Sequence, residues 1–339
     1  MKGLNFIDKL IFIVNSLFAT ALLLAYLLPY IPPNTFPFLS VLSLGMPLLL
    51  IINFAFFLFW AIRFKRQVLL SFFILLIGFN HILSLYVFSG DLPKSAMNEA
   101  KSFSLMSYNV RHFNRYNWIK DETVTQQIIS FVEQENPDVI VMQDYLEREE
   151  VKFKTYPHKY IKLVGKSGQA IYSKYPILKK GSLDFAKTGN NAIYADILIH
   201  KDTLRVFNIH LESLKINPSV KELQKNSEKL IARVGNSFKK QEIQTEILLK
   251  KIEETPYKVI IAGDLNNSAF SYVYRKLSEN YTDAFKNSGN GFGKTFDFDF
   301  IPLRIDAILV DKQLKVNKFM NYDKRLSDHY PIMSVLEFK

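Results

Sequence analysis

The chain has 339 residues, 43 Lys and Arg against 32 Asp and Glu, and no cysteine. The missing cysteines exclude a disulfide framework, a thiolate metal site and a thiol nucleophile. A uniformly water-soluble protein is excluded too, because Leu10 to Ile62 is a run of 53 residues without Asp, Glu, Lys or Arg.

The first 90 residues carry five basic side chains and one acidic one, and residues 91–339 carry 38 and 31. Within the first part, residues 10–28, 38–62 and 67–90 are mostly apolar, and each stretch is long enough to cross the hydrocarbon core. A cleaved signal peptide is disfavoured for the first stretch: no small-residue cleavage site follows it, and two more apolar stretches do. The expectation is a membrane anchor of three transmembrane helices over 1–90, a polar linker over 91–100 and a soluble domain over 101–339. The connector Pro29–Pro37 is uncharged, whereas Arg63-Phe64-Lys65-Arg66 is basic. The positive-inside rule assigns the basic loop, with Lys2 and Lys9, to the cytoplasm and the domain after residue 90 to the far side. The reading is therefore a multi-pass integral membrane protein with an extracytoplasmic domain. Asn53, Asn80 and His81 are expected to make interhelical hydrogen bonds or to lie near the membrane interface. Three spans without intramembrane charge argue against a pore or transporter.

Beyond the linker, β-branched and apolar runs alternate with amphipathic ones. Strands are expected at Phe103–Val110 and Asp138–Met142, with a helix over Glu122–Glu135 between them. Ile193–Ile199 and Leu204–His210 flank a four-residue turn as a hairpin. A helical pattern over Val220–Glu254 precedes strands at Lys258–Ala262, Ile305–Val310 and Ile332–Phe338. This is the pattern of a layered α/β or α+β domain.

Polar residues sit at the ends of these strands: Asn109, Asp144, His210, Asp264 with Asn266, Asp306, and Asp328 with His329. Strand ends can aim several side chains at one point. Carboxylates that converge without cationic partners repel one another, and a hard divalent cation such as Mg²⁺ removes that penalty. Asn and His beside them supply donors for phosphate oxygens. Metal-assisted phosphoester hydrolysis follows as the bottom-up expectation.

The blocks that carry these residues are Ser107-Tyr108-Asn109-Val110-Arg111, Pro137 to Asp144, Phe207-Asn208-Ile209-His210-Leu211, Ile261-Ala262-Gly263-Asp264-Leu265-Asn266, Arg304-Ile305-Asp306-Ala307-Ile308-Leu309 and Ser327-Asp328-His329-Tyr330-Pro331-Ile332. In their order and spacing they resemble the endonuclease/exonuclease/phosphatase family, over roughly residues 101–339. The resemblance implies a four-layer α/β sandwich, two central sheets covered by helices. It also implies roles, position by position. Asp144 would hold a metal, Mg²⁺ or Mn²⁺, with Asn109 beside it, and Asp328 would add metal or outer charge. Asp264 would orient or deprotonate the attacking water. Asn266 and His210 would contact the phosphate. His329, held in its tautomer by Asp306, would donate to the transition-state phosphoryl group. The family usually has Glu where this chain has Asp144, so the carboxylate must sit closer to its metal or bind through water.

His112 is within reach of substrate or else a packing histidine. Residues 289–295 lack the first glycine of a phosphate-binding loop, because Ser288 stands there. They read as a loop near the site, with Thr295 a candidate phosphate contact. Lys221, Lys225, Lys229 and Arg233 form a basic stripe at helical spacing that is a solvated face or a surface for anionic lipid or nucleic acid. The partners implied are a phosphoester substrate (nucleic acid, phospholipid headgroup or small phosphate) and the lipid bilayer; no protein partner is implied. The competing reading is a non-catalytic relative that binds an anionic partner at the membrane.

Overall fold

A computed structural model describes residues 4–88, 99–165, 167–215, 227–298 and 302–339 of the chain. The linker, apart from a short turn at Glu99–Lys101, lies outside these residues, as do Lys221, Lys225 and the expected start of the 220–254 helix.

The apolar N-terminal sequence forms helices α1 (Phe6–Ala25), α2 (Pro37–Leu42), α3 (Met46–Ile62), α4 (Val68–Ile77) and α5 (Phe79–Leu85). Two continuous helical stretches, Phe6–Tyr30 and Pro37–Ile62, are long and apolar enough to cross a membrane. The third stretch, read as one span over 67–90, is instead a pair of helices bent by 75°. The bend falls at Gly78, where a side chain would collide with the Tyr26 ring. Many large apolar side chains of these helices, Phe6, Leu17, Phe54 and Phe73 among them, point outward. That is the expected dress of a bundle whose solvent is lipid. The polar groups face inward: Asn15 donates to Ser71 and accepts from Trp60, and Asn53 donates to the carbonyls of Phe18 and Leu49. Asp8 and Arg63 pair at the basic-loop end.

The remaining chain builds two six-stranded sheets. The strands are β1 (Tyr86–Val87), β2 (Ser102–Asn109), β3 (Val139–Tyr145), β4 (His158–Val164), β5 (Ser167–Ser173), β6 (Ile177–Ser182), β7 (Asn191–Ile199), β8 (Asp202–His210), β9 (Lys258–Asp264), β10 (Tyr281–Asp283), β11 (Gly291–Phe292), β12 (Asp306–Asp311), β13 (Leu314–Asn321) and β14 (Ile332–Phe338). One sheet has the order β13-β14-β2-β3-β5-β4, the other β10-β12-β9-β8-β7-β6. Each contains one parallel pair, β2 with β3 and β8 with β9.

Both faces of the central strands are buried, which explains their near-continuous apolar sequence. Inner-facing Leu105, Val141, Ile193, Ile197, Val206, Ile260 and Ile308 fill the space between the sheets. Outer-facing Met106, Ile140 and Met142 pack under helix α6 (Val124–Glu135), through its Ile128, Ile129 and Val132. On the other side Phe207, Ile209 and Ile261 pack beneath the helices Ser227–Glu253 and Tyr272–Ser278. The result is a four-layer α/β sandwich.

β1 follows α5 directly and pairs with β11, which joins the apolar N-terminal part to the sandwich.

Candidate active site

The parallel pairs bring the C-terminal ends of β2, β3, β8 and β9 to one end of the sandwich. In register, His210 lies opposite Asp264, and Asp264 opposite Asp306. Residues far apart in sequence therefore meet. Two local devices set the geometry. Gly263 has φ +139°, and a Cβ there would lie 2.1 Å from the Ile209 carbonyl oxygen, so only glycine lets β9 approach β8 this closely. Asp144 and Asn266 both adopt left-handed backbone conformations, φ 46° and 48°. Asp144 sits where the β3–β5 register shifts, a bulge that turns its carboxylate into the cleft.

At the centre, His329 is buried between two carboxylates. Its Nδ1 lies 2.9 Å from Asp306 Oδ2, and its Nε2 lies 3.6 Å from Asp264 Oδ2. Burial by itself disfavours the imidazolium, but the Asp306 and Asp264 charges outweigh it and hold the ring's pKa well above the usual histidine range. Asp264 is pushed up by its own burial, an effect that the His329 charge opposes. Asn109 donates from Nδ2 to Asp264 Oδ2 at 3.0 Å and accepts the Arg111 N–H at 3.2 Å, so it holds Asp264 in place. The Asn266 N–H donates to Asp264 Oδ1 at 2.7 Å. One side-chain N–H of Asn266 is given to the Leu211 carbonyl, which leaves its second donor available.

His210 bridges the two halves of the cleft, with Nδ1 3.8 Å from Asp144 Oδ1 and Nε2 3.6 Å from Asp264 Oδ2. His112 Nε2 approaches the same Asp144 oxygen at 3.9 Å. Burial would raise the Asp144 pKa, but His210, His112 and the Ser167 hydroxyl outweigh it and keep the carboxylate below its ordinary value. Asp328 pairs with Arg111 Nη1 at 3.0 Å.

Two places offer metal-binding donors. Asp264, Asp306 and His329 present ligand atoms within 4.8 Å of one another. Both ring nitrogens there already face carboxylates, however. Asp144 is the better fit for a hard divalent cation. It offers oxygen, its side chain is 30% exposed, and it holds one hydrogen bond, from Ser167 at 3.0 Å.

Several contributors carried no signal in the sequence. Ser167 is an ordinary strand serine until β5 is paired with β3. Gln143, Asn208 and Gln169 form a buried network between the sheets behind the site: Gln143 donates to Asn208 Oδ1 at 2.8 Å, and Asn208 donates to the carbonyls of Met142 and Ala170. Gln143 and Asn208 both lie in the family-like sequence blocks, but only cross-sheet pairing gives them partners. Thr295 is buried, and its hydroxyl accepts the backbone N–H groups of Ile305 and Asp306, so it positions Asp306.

Comparison with known proteins agrees with this architecture. A sequence profile described as the endonuclease/exonuclease/phosphatase family matches residues 106–329, and one described as a domain of unknown function matches residues 8–85. No curated protein matches the chain. Among solved structures, an endonuclease/exonuclease/phosphatase from Bacteroides vulgatus is 19% identical with a TM-score of 0.54, covering 70% of this chain and 99% of its own. D. rerio TDP2 complexed with a single-strand DNA product is 18% identical with a TM-score of 0.52, over 70% and 99% of the two chains. The human Nocturnin catalytic domain with bound sulfate is 14% identical with a TM-score of 0.53, over 70% and 94%. At these identities the structures establish a shared fold.

Proposed function

The chain belongs to the endonuclease/exonuclease/phosphatase family, and from that premise we propose that it is a membrane-anchored, divalent-metal-dependent hydrolase of phosphoester bonds. The observation that carries this reading is the buried Asp306–His329–Asp264 relay with Asp144 open to the same cleft.

A Mg²⁺ or Mn²⁺ ion on Asp144 would supply positive charge for the nonbridging oxygens of the phosphate. The rest falls to the chain's own residues. Asp264, raised by burial and fixed by Asn109 and the Asn266 N–H, orients the attacking water and takes its proton. His329, kept cationic by Asp306, donates from Nε2 to the phosphoryl oxygen that gains charge. The free N–H of Asn266 and the His210 ring complete the contacts to phosphate. Asp328 holds Arg111 at the rim and adds outer charge. Of the similar structures, D. rerio TDP2 holds a single-strand DNA product and the human Nocturnin catalytic domain a sulfate anion.

For topology we propose three crossings with the domain outside the cytoplasm. From Asp8 to Tyr26 α1 rises about 27 Å, close to the hydrocarbon thickness. α4 climbs beside its upper half: Ser71 meets Asn15, and the Ile74 carbonyl accepts from the Tyr26 hydroxyl. Its end therefore reaches the same face as the Pro29–Pro37 connector, opposite the basic loop, and α5 turns away along that face.

Hydrolysis by the full chain of bis(p-nitrophenyl) phosphate, single-stranded DNA and an inositol phosphate, each with Mg²⁺, Mn²⁺ or chelator, tests the proposal. Metal-dependent turnover of at least one is expected. No turnover of any, with metal binding that ignores Asp144, favours the non-catalytic reading.

A further inference from the structure

The end of the sandwich that holds the cleft is also the end that rests on the membrane helices. Phe270, four residues past Asn266, is buried in the helix cluster of the anchor beside Tyr26 and Leu28. Arg304, two residues before Asp306, donates from Nε to the Ser84 carbonyl at 3.2 Å. The Gly293 N–H reaches the Leu85 carbonyl, and Arg275 caps the Pro29 carbonyl at 3.0 Å while lying 4.8 Å over the Tyr30 ring. The Asn34 N–H donates to Glu242 at 2.7 Å on the half of the long helix that also bonds the Asn266 loop through Gln241.

Two of these contacts come from segments that carry proposed catalytic groups, Phe270 after Asn266 and Arg304 before Asp306. Four residues of extended chain span at most about 14 Å and two about 7 Å, so Asn266 and Asp306 lie close above the ends of the membrane helices. The headgroup layer on each side of a bilayer is itself roughly 5–8 Å deep. With these helices in a bilayer, the strand ends that carry Asn266 and Asp306 sit at the level of that layer, where lipid phosphate is already concentrated. The exposed surface of this end suits such a setting. Lys229 and Arg233 lie exposed at the start of the long helix, and Tyr116 and Trp118, 54% and 43% exposed, sit on the loop after β2. Basic side chains attract anionic headgroups, and Trp and Tyr favour the interface.

We infer that the substrate is a phosphodiester carried by a membrane phospholipid, reached from the bilayer surface. This rests on the hydrolase reading above. Water's oxygen bonds to phosphorus, one P–O ester bond breaks, and the released alkoxide takes up the proton that water gave to Asp264. The products are an alcohol and a phosphate monoester, one of which stays in the bilayer.

The test uses the full chain in vesicles of phosphatidylethanolamine and phosphatidylglycerol with Mg²⁺, with products read by mass spectrometry. Bis(p-nitrophenyl) phosphate and single-stranded DNA are assayed in parallel. The expected result is lipid turnover that falls by about tenfold or more in Tyr30→Ala/Arg275→Ala, while the soluble diester is hydrolysed as before, because only the positioning of the cleft over the bilayer is lost. The unchanged soluble rate also reports that the variant is folded. Hydrolysis of the soluble diester or DNA without hydrolysis of lipid, or lipid turnover indifferent to the double substitution, overturns this inference alone. Absence of turnover on every substrate overturns the hydrolase reading beneath it.

Discussion

Asp306 Oδ2 sits 2.9 Å from His329 Nδ1, both groups buried, and this contact fixes which ring nitrogen faces the cleft. With Nδ1 committed, Nε2 points toward Asp264 and the place of the phosphate. Asp306→Asn removes the charge that offsets burial of the imidazolium, so the ring's proton is held less tightly. The alkaline limb of the pH–rate profile should move to lower pH, with a loss at neutral pH of about a hundredfold. A profile that drops in height without shifting would mean that Asp306 only supports the fold.

Asp264→Asn and His329→Ala should each reduce turnover by about a hundredfold or more, the scale of positioned proton-transfer and charge-stabilising groups. Circular dichroism and thermal unfolding should show that both variants remain folded. Near-normal rates in either would remove the role given to that residue.

Asp144 carries the metal prediction. Activity of the wild-type chain should vanish with chelator and return with Mg²⁺ or Mn²⁺. Asp144→Ala should move the Mg²⁺ midpoint upward by about tenfold or more, since it deletes the oxygen donor best placed for a hard cation. The same metal midpoint in the variant would transfer the ion to another group, with the Asp264–Asp306–His329 cluster next in order.

Arg304 and Asp283 form a buried ion pair, Nη1 to Oδ2 at 2.7 Å, and the Tyr274 hydroxyl donates to the same carboxylate. Burial would raise the Asp283 pKa, but the guanidinium and the hydroxyl hold it below its ordinary value. A depressed folded pKa means that this stabilisation is complete above the unfolded value of about 3.9 and is lost as the pH falls below it. Asp283→Asn leaves the guanidinium buried without its counter-charge and should cost about 3–5 kcal/mol at neutral pH. Denaturant unfolding at pH 7 and pH 3 should show a gap between wild type and variant that narrows in acid. A constant gap would assign the effect to packing.

For topology, an enzymatic reporter fused after Lys339 should be active only if its activity requires export, and one placed within Arg63–Arg66 should report the cytoplasm. The opposite pattern would put the domain on the cytoplasmic side and reverse the use made of the basic loop.

The apolar N-terminus was legible because membrane spans depend on composition over about 20 residues, a quantity local to the chain. The central strands were legible for the same reason: Val139–Tyr145, Asn191–His210 and Lys258–Asp264 are dense local runs of β-branched and apolar residues. The weakly patterned β4 and β6, half-exposed and lysine-bearing, gave no such signal, and neither did the bend at Gly78, which is set by the Tyr26 ring of another helix. The blocks around Asn109, Asp264 and His329 likewise announced a family through their order along the chain. What each polar group touches was decided only when strands from distant parts of the sequence were placed in register. Asn109 turned to Asp264, Arg111 took Asp328, Thr295 went under Asp306, and Arg304 reached the Ser84 carbonyl of the apolar helices. Hydrogen bonds and ion pairs act over a few ångströms of space, and the sequence orders residues along a line.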